Sequence, residues 1–323
     1  MTKKIKQFKL KRIQQSHKGW VSTICVDPTN LFYCTGSHDE TIKIFGLEKG
    51  EQKLTFHEHI GAVKSLQLSP KHPYLFSGGE DRNIRCFDLE VNKMIKSYHG
   101  HLSGVNCISL HPTENIIISG GRDSVLRLWD MRSKENIEVY EGHNSSIFDI
   151  KTKNSSPQII SCSEDGSIKC WDMVANKCLY TFTHHEKAVR CVELLNENEM
   201  ISASYDSIKI WKNNEFQFDL DLPNEIITSV KSFHSEERNE TNIVTTSLNG
   251  NISIYSYSSD LLCSSDSMKE NMKNCQKKQS ITIKPQKDAL ESENGILCSS
   301  FDMTGNRLLI GCNDKTIKTL FYV

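Results

Sequence analysis

A histidine, a serine and an aspartate recur together in this 323-residue chain, and serine hydrolases use that trio for nucleophilic catalysis. His101 is followed by Ser119 and then by Asp123, and Trp129 comes shortly afterwards. A histidine placed between a hydroxyl and a carboxylate could act as the general base that activates the hydroxyl. The catalytic interpretation requires one such set to stand apart from the rest of the chain.

The set does not stand apart, because it occurs five times in register. The histidines are His17, His59, His101, His143 and His185; the hydroxyls are Thr35, Ser77, Ser119, Ser161 and Ser202; the carboxylates are Asp39, Asp81, Asp123, Asp165 and Asp206. One active site does not need five copies. The constant spacing favours a structural role, in which each half-buried carboxylate receives donors from the histidine and its neighbours.

The elements around each set are short alternating segments separated by turn residues. Between Gly100 and Asp130 they lie near Val105, at Ile116–Ser119 and at Leu126–Trp129. This unit resembles a repeat of the WD superfamily, which folds as a four-stranded blade. Two weaker copies follow, with Pro223 and Ser292 in the histidine position. The sequence therefore predicts an all-β, seven-bladed WD-repeat β-propeller.

The resemblance implies a hydrogen-bonded network in each complete repeat, joined by the indole N–H of a tryptophan. The networks are His101, Ser119, Asp123 and Trp129; His143, Ser161, Asp165 and Trp171; and His185, Ser202, Asp206 and Trp211. Phe45 and Phe87 take the tryptophan position in the first two repeats, so these networks lose one donor.

The seven repeats span residues 17–323, and two segments of the chain do not follow their pattern. Residues 1–16 are basic, and we interpret them as the outer strand of the last blade, which would close the ring. A nuclear-import or RNA-contacting role is the alternative, and a basic outer strand could serve both. Residues 256–278 are polar and of low complexity, which predicts a mobile loop, with the outer strand of blade six at 280–284.

Composition excludes several function classes. The net charge of −1 gives no global attraction to nucleic acid or membrane, and no apolar run reaches the length of a membrane span. The twelve cysteines contain no Cys-x-x-Cys pair, so we expect free, buried thiols, no metal and no cofactor. Enzymes built on propellers gather carboxylates or metal ligands at the central channel, and no such asymmetric cluster is expected here.

Partner binding is expected where the loops between blades meet the turns before each aspartate. In WD repeats these positions flank the first apolar residue of a blade or precede the aspartate. They are Trp20, Ser22, His38, Lys64, Glu80, Asn106, Arg122, Phe148, Glu164, Arg190 and Tyr205. Trp20, Phe148 and Tyr205 are the strongest candidates, because aromatic residues and arginine are enriched at interface hot spots.

A finer resemblance rests on the order of motifs over nearly the whole chain. Lys18-Gly19-Trp20-Val21 opens repeat one, Tyr205-Asp206-Ser207 shortens the turn of repeat five, and Asp314-Lys315-Thr316 lies in the last repeat. In this order the sequence resembles the pleiotropic regulator family of splicing factors in the spliceosome's nineteen complex. The family's long N-terminal extension and basic C-terminal arm are not in this sequence, and the 256–278 insert is extra. Any retained role is therefore expected to rest on the propeller faces.

That resemblance implies a non-enzymatic scaffold in the nucleus. It would dock spliceosomal proteins in pre-mRNA splicing, with small nuclear RNA or pre-mRNA nearby, as a monomer within a larger complex and away from membranes. The alternatives are another WD-repeat adaptor, such as a ubiquitin-ligase substrate receptor or a ribosome-associated scaffold, and an enzyme built on a propeller.

Overall fold

A computed structural model gives the fold of the chain and describes residues 7–205, 207–221, 225–235, 240–257, 275–286 and 293–323. The described strands are β1 Phe8–Gln15, β2 Val21–Val26, β3 Phe32–Ser37, β4 Ile42–Gly46, β5 Gln52–Phe56, β6 Val63–Leu68, β7 Tyr74–Gly79, β8 Ile84–Asp88, β9 Lys93–Tyr98, β10 Val105–Leu110, β11 Ile116–Gly121, β12 Leu126–Asp130, β13 Asn136–Tyr140, β14 Ile147–Thr152, β15 Gln158–Ser163, β16 Ile168–Asp172, β17 Lys177–Phe182, β18 Val189–Asn196, β19 Glu199–Ser204, β20 Ser207–Lys212, β21 Glu215–Asp221, β22 Ile227–Ser235, β23 Glu240–Ser247, β24 Asn251–Tyr257, β25 Cys275–Thr282, β26 Ile296–Phe301, β27 Arg307–Cys312 and β28 Thr316–Tyr322.

The strands form seven antiparallel sheets of four, which are the blades of a propeller. Blades one to six each use four consecutive strands, from β2–β5 to β22–β25. Blade seven combines β26, β27 and β28 with β1, whose Phe8 pairs with Tyr322. The predicted all-β, seven-bladed propeller with an N-terminal closing strand is thus confirmed. No helix of the described residues is long and apolar enough to cross a membrane.

The hydrophobic cores lie between blades. The described residues form seven buried clusters, and each draws side chains from two neighbouring blades. Cys34 of blade one and Val63 of blade two, for example, share one cluster. Because both faces of a blade are buried in this way, the second strands are buried along almost their whole length, as in Ile116–Gly121. A blade alone would expose both faces, whereas a closed ring exposes neither.

The thiols follow the same pattern. Eleven cysteines are described, all of them free, and ten are buried, while Cys178 on β17 is exposed. Burial raises the pKa of Cys191 to about 12, with the nearby Asp149 carboxylate adding to the effect. These thiols therefore act as small apolar core residues.

The sixth blade differs from the prediction at its outer edge. Its last strand is Cys275–Thr282, which begins five residues before the predicted Ser280. Ser256 and Tyr257 belong to β24, so both ends of the predicted mobile loop are strand residues. The prediction was wrong there because polar composition describes an exposed outer strand as well as it describes a loop. Residues 258–274 lie outside the described residues.

Candidate functional site

The five repeated polar sets fold as separate networks, one per blade. In blade three, His101 Nδ1 is 2.9 Å from Asp123 Oδ2, and His101 Nε2 is 2.7 Å from Ser119 Oγ. Trp129 Nε1 donates to the same Ser119 Oγ at 2.8 Å. A Cβ at Gly100 would lie 2.9 Å from the Trp129 ring, so glycine is needed before this histidine.

Blade four repeats the arrangement with His143, Ser161, Asp165 and Trp171 at nearly the same distances. In blade five, His185 Nε2 is 2.7 Å from Ser202 Oγ and Trp211 Nε1 donates to Ser202 at 2.8 Å; Asp206 lies outside the described residues.

Blades one and two carry the shorter network that their phenylalanines predict. His17 bridges Asp39 and Thr35, and His59 bridges Asp81 and Ser77. All five histidines are buried, at 7% exposure or less. The Nε2 atom of each imidazole is hydrogen-bonded to a buried hydroxyl inside its blade.

The electrostatics of these networks favour ionised carboxylates and, in blade four, a neutral imidazole. Burial acts to raise the pKa of Asp165, but hydrogen bonds from Ser167, from the Asn144 amide and from His143 hold it at about 2. Burial lowers the pKa of His143, an effect that Asp165 only partly offsets. Asp81 behaves like Asp165: hydrogen bonds and charge from His59 and Arg85 overcome burial, and its pKa is about 2.

Nine of the eleven predicted partner-binding residues line one mouth of the central channel, and the other two, Trp20 and Tyr205, pack against the lining residues His38 and Arg190. The channel is a cavity of about 780 Å³ lined by the first strands of all seven blades. The face that holds this mouth, called here the upper face, carries the loops between blades and the turns between second and third strands. Ser22, Lys64, Asn106, Phe148, Arg190, His38, Glu80, Arg122 and Glu164 all line the cavity.

A β-bulge in each first strand explains why the side chains from the start of that strand point to the channel. The pairing register shifts on either side of Ser22, Lys64, Asn106, Phe148, Arg190, Thr228 and Leu297, one residue in each blade. A bulge leaves its extra residue unpaired and changes the direction of its side chain. All seven bulge residues line the channel, whatever their chemistry.

Aromatic and charged side chains pair at two places on the upper face. On blades one and two, Trp20 is 44% exposed and packs on His38, whose Nε2 is 2.9 Å from Lys64 Nζ. Lys64 also forms an ion pair with Glu80 at 3.1 Å. Burial and the Lys64 ammonium lower the pKa of His38, so the neutral imidazole accepts a hydrogen bond from the Lys64 ammonium.

On blades four and five, Arg190 lies between two aromatic rings. Its guanidinium carbon is 4.8 Å from the centre of Phe148 and 4.9 Å from the centre of Tyr205, and its Nε donates to Tyr205 Oη at 3.0 Å. Phe148 and Tyr205 are therefore partly covered, unlike Trp20. Such stacking holds an arginine in one orientation, which lowers the entropy cost of using it in a contact.

Deeper in the channel, the structure contains a charged cluster that contradicts the sequence-based expectation. Lys151, Glu193 and Lys231 lie on three successive first strands, β14, β18 and β22. The ammonium groups of Lys151 and Lys231 both contact Glu193 Oε2, at 2.9 and 3.1 Å. Asp149 lies beside them and accepts the Val192 amide at 3.2 Å. The expectation failed because these residues are about 40 positions apart in sequence and occupy no repeat-motif position.

Burial raises the pKa of Asp149, whereas the two lysines outweigh burial and lower the pKa of Glu193. Lys151, Glu193 and Lys231 each lie three residues after the bulge of their strand, so counting from the bulges would have placed them at one level of the channel. Among the described residues, no group of three His, Cys, Asp or Glu side chains is arranged to hold a metal ion.

The chain is similar to two groups of known proteins. The family model described as the nucleolar protein 10-like N-terminal domain, a β-propeller, matches residues 60–254, and the WD domain G-beta repeat matches residues 8–46. The pre-mRNA-splicing factor PRP46 of Yarrowia lipolytica is 44% identical over 48 residues, which cover 15% of this chain and 11% of that protein.

The Arabidopsis thaliana protein pleiotropic regulator PRL2 is 50% identical over 44 residues, covering 14% of this chain and 9% of that protein. Pleiotropic regulator 1 of Homo sapiens is 48% identical over 48 residues, covering 15% and 9%. The matched segments thus span about a tenth of the length of these curated relatives. The nucleolar protein 10-like model covers more than half of the chain. The chain is therefore a WD-repeat β-propeller that belongs to the nucleolar protein 10-like N-terminal domain family.

Proposed function

We propose that this protein is a non-enzymatic docking platform in nuclear pre-mRNA splicing, which binds another splicing protein at the upper face. The observation that carries the docking role is the pair of aromatic and charged groups at the channel mouth. Trp20 supplies an exposed ring, and Arg190 supplies a cation held between Phe148 and Tyr205. Aromatic and arginine side chains contribute most of the binding energy of typical interfaces.

The splicing assignment rests on similarity to the splicing factor PRP46 and the pleiotropic regulators, and on the order of motifs along the chain. The absence of catalysis is also part of the proposal. It rests on the burial of the five histidines and their serine or threonine partners, and on the ion pairs that hold Glu193 between Lys151 and Lys231 in the channel.

Affinity purification of the tagged protein from its own cells tests the proposal. We expect splicing proteins and small nuclear RNAs to be enriched with the wild-type chain. The variant Trp20→Ala with Arg190→Ala should lose these proteins at least tenfold. The matched control is Leu31→Ala with Val174→Ala, which truncates two exposed apolar residues outside the mouth and should retain them.

A nucleolar role is the second candidate, because the nucleolar protein 10-like model matches residues 60–254. Enrichment of nucleolar or ribosomal proteins without small nuclear RNA would favour it over splicing. Enrichment of ubiquitin-ligase subunits would instead favour a substrate receptor. Unchanged binding by the Trp20 and Arg190 variant would overturn the proposed docking face in all three cases.

A further inference from the structure

The outer strands of blades six and seven carry a concentration of positive charge on a chain that is almost neutral overall. Their described cationic residues are Lys9, Lys11 and Arg12 on β1 and Lys277 and Lys278 on β25, and we call this surface the basic belt. Neither strand contains an aspartate or a glutamate. Three further lysines, Lys3, Lys4 and Lys6, precede β1 in the sequence.

The two strands of the basic belt are in direct contact. The Phe8 amide donates to Gln279 Oε1 at 3.0 Å, and Gln279 Nε2 donates to the Phe8 carbonyl at 3.0 Å. This pair of hydrogen bonds joins β25 to β1 across the junction of two blades. The lysines on both strands therefore belong to one continuous surface.

Several of these cations are held in place by the surface beneath them. The Lys11 Nζ atom is 5.0 Å from the centre of the Phe321 ring, and the Arg307 guanidinium is 5.3 Å from the same ring. Arg12 donates to the Leu47 carbonyl at 3.3 Å. Lys9, Lys11, Lys277 and Lys278 remain exposed to solvent.

Protection of exposed strand edges does not account for this distribution. Charged residues on an outer strand prevent edge-to-edge association, but either sign serves that purpose. The outer strand of blade five uses negative charge, with Glu215 and Asp219. Blades six and seven place five cations side by side without a carboxylate on either strand, which concentrates one sign of potential over two blades.

We propose that the basic belt binds the phosphate backbone of single-stranded RNA. Regularly placed lysines match a polyanion, and contacts to phosphate are independent of base sequence. The exposed side chains of Leu10 (41%) and Ile13 (48%) lie on β1 among the cations and offer apolar surface to bases. The site is on the perimeter of the ring, so RNA and an upper-face protein partner could bind together.

Fluorescence anisotropy with a labelled oligouridylate tests this proposal on the purified full chain at moderate salt. The charge-reversal variant Lys9→Glu with Lys277→Glu should bind at least tenfold more weakly than wild type. The slope of log K against log salt concentration should fall by about 1.4, since each phosphate contact on a single strand contributes about 0.7. The neutralising variant Lys9→Gln with Lys277→Gln should show the same change in slope.

The matched control is Lys93→Glu with Lys177→Glu, which reverses two exposed lysines on the outer strands of blades two and four. It makes the same change in net charge and should bind like wild type. Equal loss in this control would overturn the basic belt as a site. Binding of RNA by both belt variants as tight as that by wild type would also overturn it. So would binding of polyglutamate as tight as that of RNA, which would indicate an acidic protein partner. These outcomes do not depend on the proposed upper-face partner.

Discussion

The Lys318 ammonium lies 2.6 Å from Asp314 Oδ2, and both residues are at most 4% exposed. Asp314 is the turn aspartate of blade seven, and Lys318 stands four residues after it, as Arg85 stands after Asp81 in blade two. Lys318 also donates to the Lys284 carbonyl at 3.2 Å, and Asp314 accepts the Thr316 amide at 3.1 Å. Blade seven thus satisfies its turn carboxylate with an ammonium group in place of a histidine.

Removing one partner of this ion pair should be costly. We expect Asp314→Asn to lower the free energy of unfolding by about 3–5 kcal/mol, because it leaves a buried ammonium uncompensated. The double variant Asp314→Leu with Lys318→Met should cost much less. Urea denaturation measures the free energy of unfolding of both variants and of a control. Glu80→Gln at the half-exposed pair with Lys64 is the control and should cost under about 1 kcal/mol. Equal small effects at both pairs would contradict this prediction.

Blade three offers a stabilising substitution. In blade four, Ser167 Oγ donates to Asp165 Oδ1 at 2.6 Å, and in blade one Thr41 Oγ1 donates to Asp39 Oδ1 at the same distance. Val125 takes this position in blade three. Asp123 Oδ1 is therefore buried with no side-chain donor among the described residues.

Val125→Thr should raise the free energy of unfolding by about 0.5–1.5 kcal/mol, since threonine has the shape of valine and adds the missing donor. The reverse change, Thr41→Val, should lower it by a similar amount. Thermal and urea denaturation of both variants provide the measurement. A loss of stability in Val125→Thr would show that Asp123 Oδ1 is already satisfied.

The network carboxylates themselves should matter more than any single hydroxyl. Asp165→Ala strands the His143 imidazole and the amide of Asn144, and Asp123→Ala does the same to His101 and Leu102. We expect each to cost about 1–3 kcal/mol. Asp172→Ala, at a partly exposed end of β16, is a control for loss of charge. An unchanged melting temperature in both network variants would refute the structural role.

The stability of the protein should fall on acidification in two stages. His143 has a lowered pKa and is neutral in the fold, so its stabilising contribution is complete above pH 6.5 and falls as the unfolded chain takes up a proton below that. Asp81 and Asp165 have pKa values of about 2, so their contribution is present above about pH 4 and is lost as pH falls towards 2.

Each of these two carboxylates should carry about 2 kcal/mol. Urea denaturation between pH 8 and 2 measures the profile. A free energy of unfolding that rises as the pH falls from 6.5 to 4 would have the opposite sign to the one that a buried neutral imidazole requires.

The channel cluster should hold blades four, five and six together. Glu193→Gln leaves Lys151 and Lys231 facing each other, and we expect a cost of about 1–3 kcal/mol, reduced by their partial exposure of 24% and 29%. Hydrogen exchange should increase in β14, β18 and β22. Glu164→Gln, at the rim of the same channel, should leave exchange in these strands unchanged. Uniform exchange changes across all seven blades would argue against a local role.

The parts of the structure that were predictable are those fixed by periodicity. The spacing from His101 to Asp123 places both at one end of a blade, and their contact follows from local strand geometry. The pair of Lys151 and Glu193 was not predictable in the same way, because it depends on how neighbouring blades are set against each other around the ring. The stacking of Arg190 on Tyr205 was missed because both side chains were assigned to the surface separately.

Closure of the ring by β1 also has a consequence for synthesis of the chain. Gln15 pairs with Thr316, about 300 residues later, so β1 leaves the ribosome long before its partner strand is synthesised. At roughly 5–20 residues per second the delay is on the order of 15–60 s. During that time Phe8 has no partner strand, and the charges of Lys9 and Lys11 on β1 oppose association of this unpaired strand with other chains.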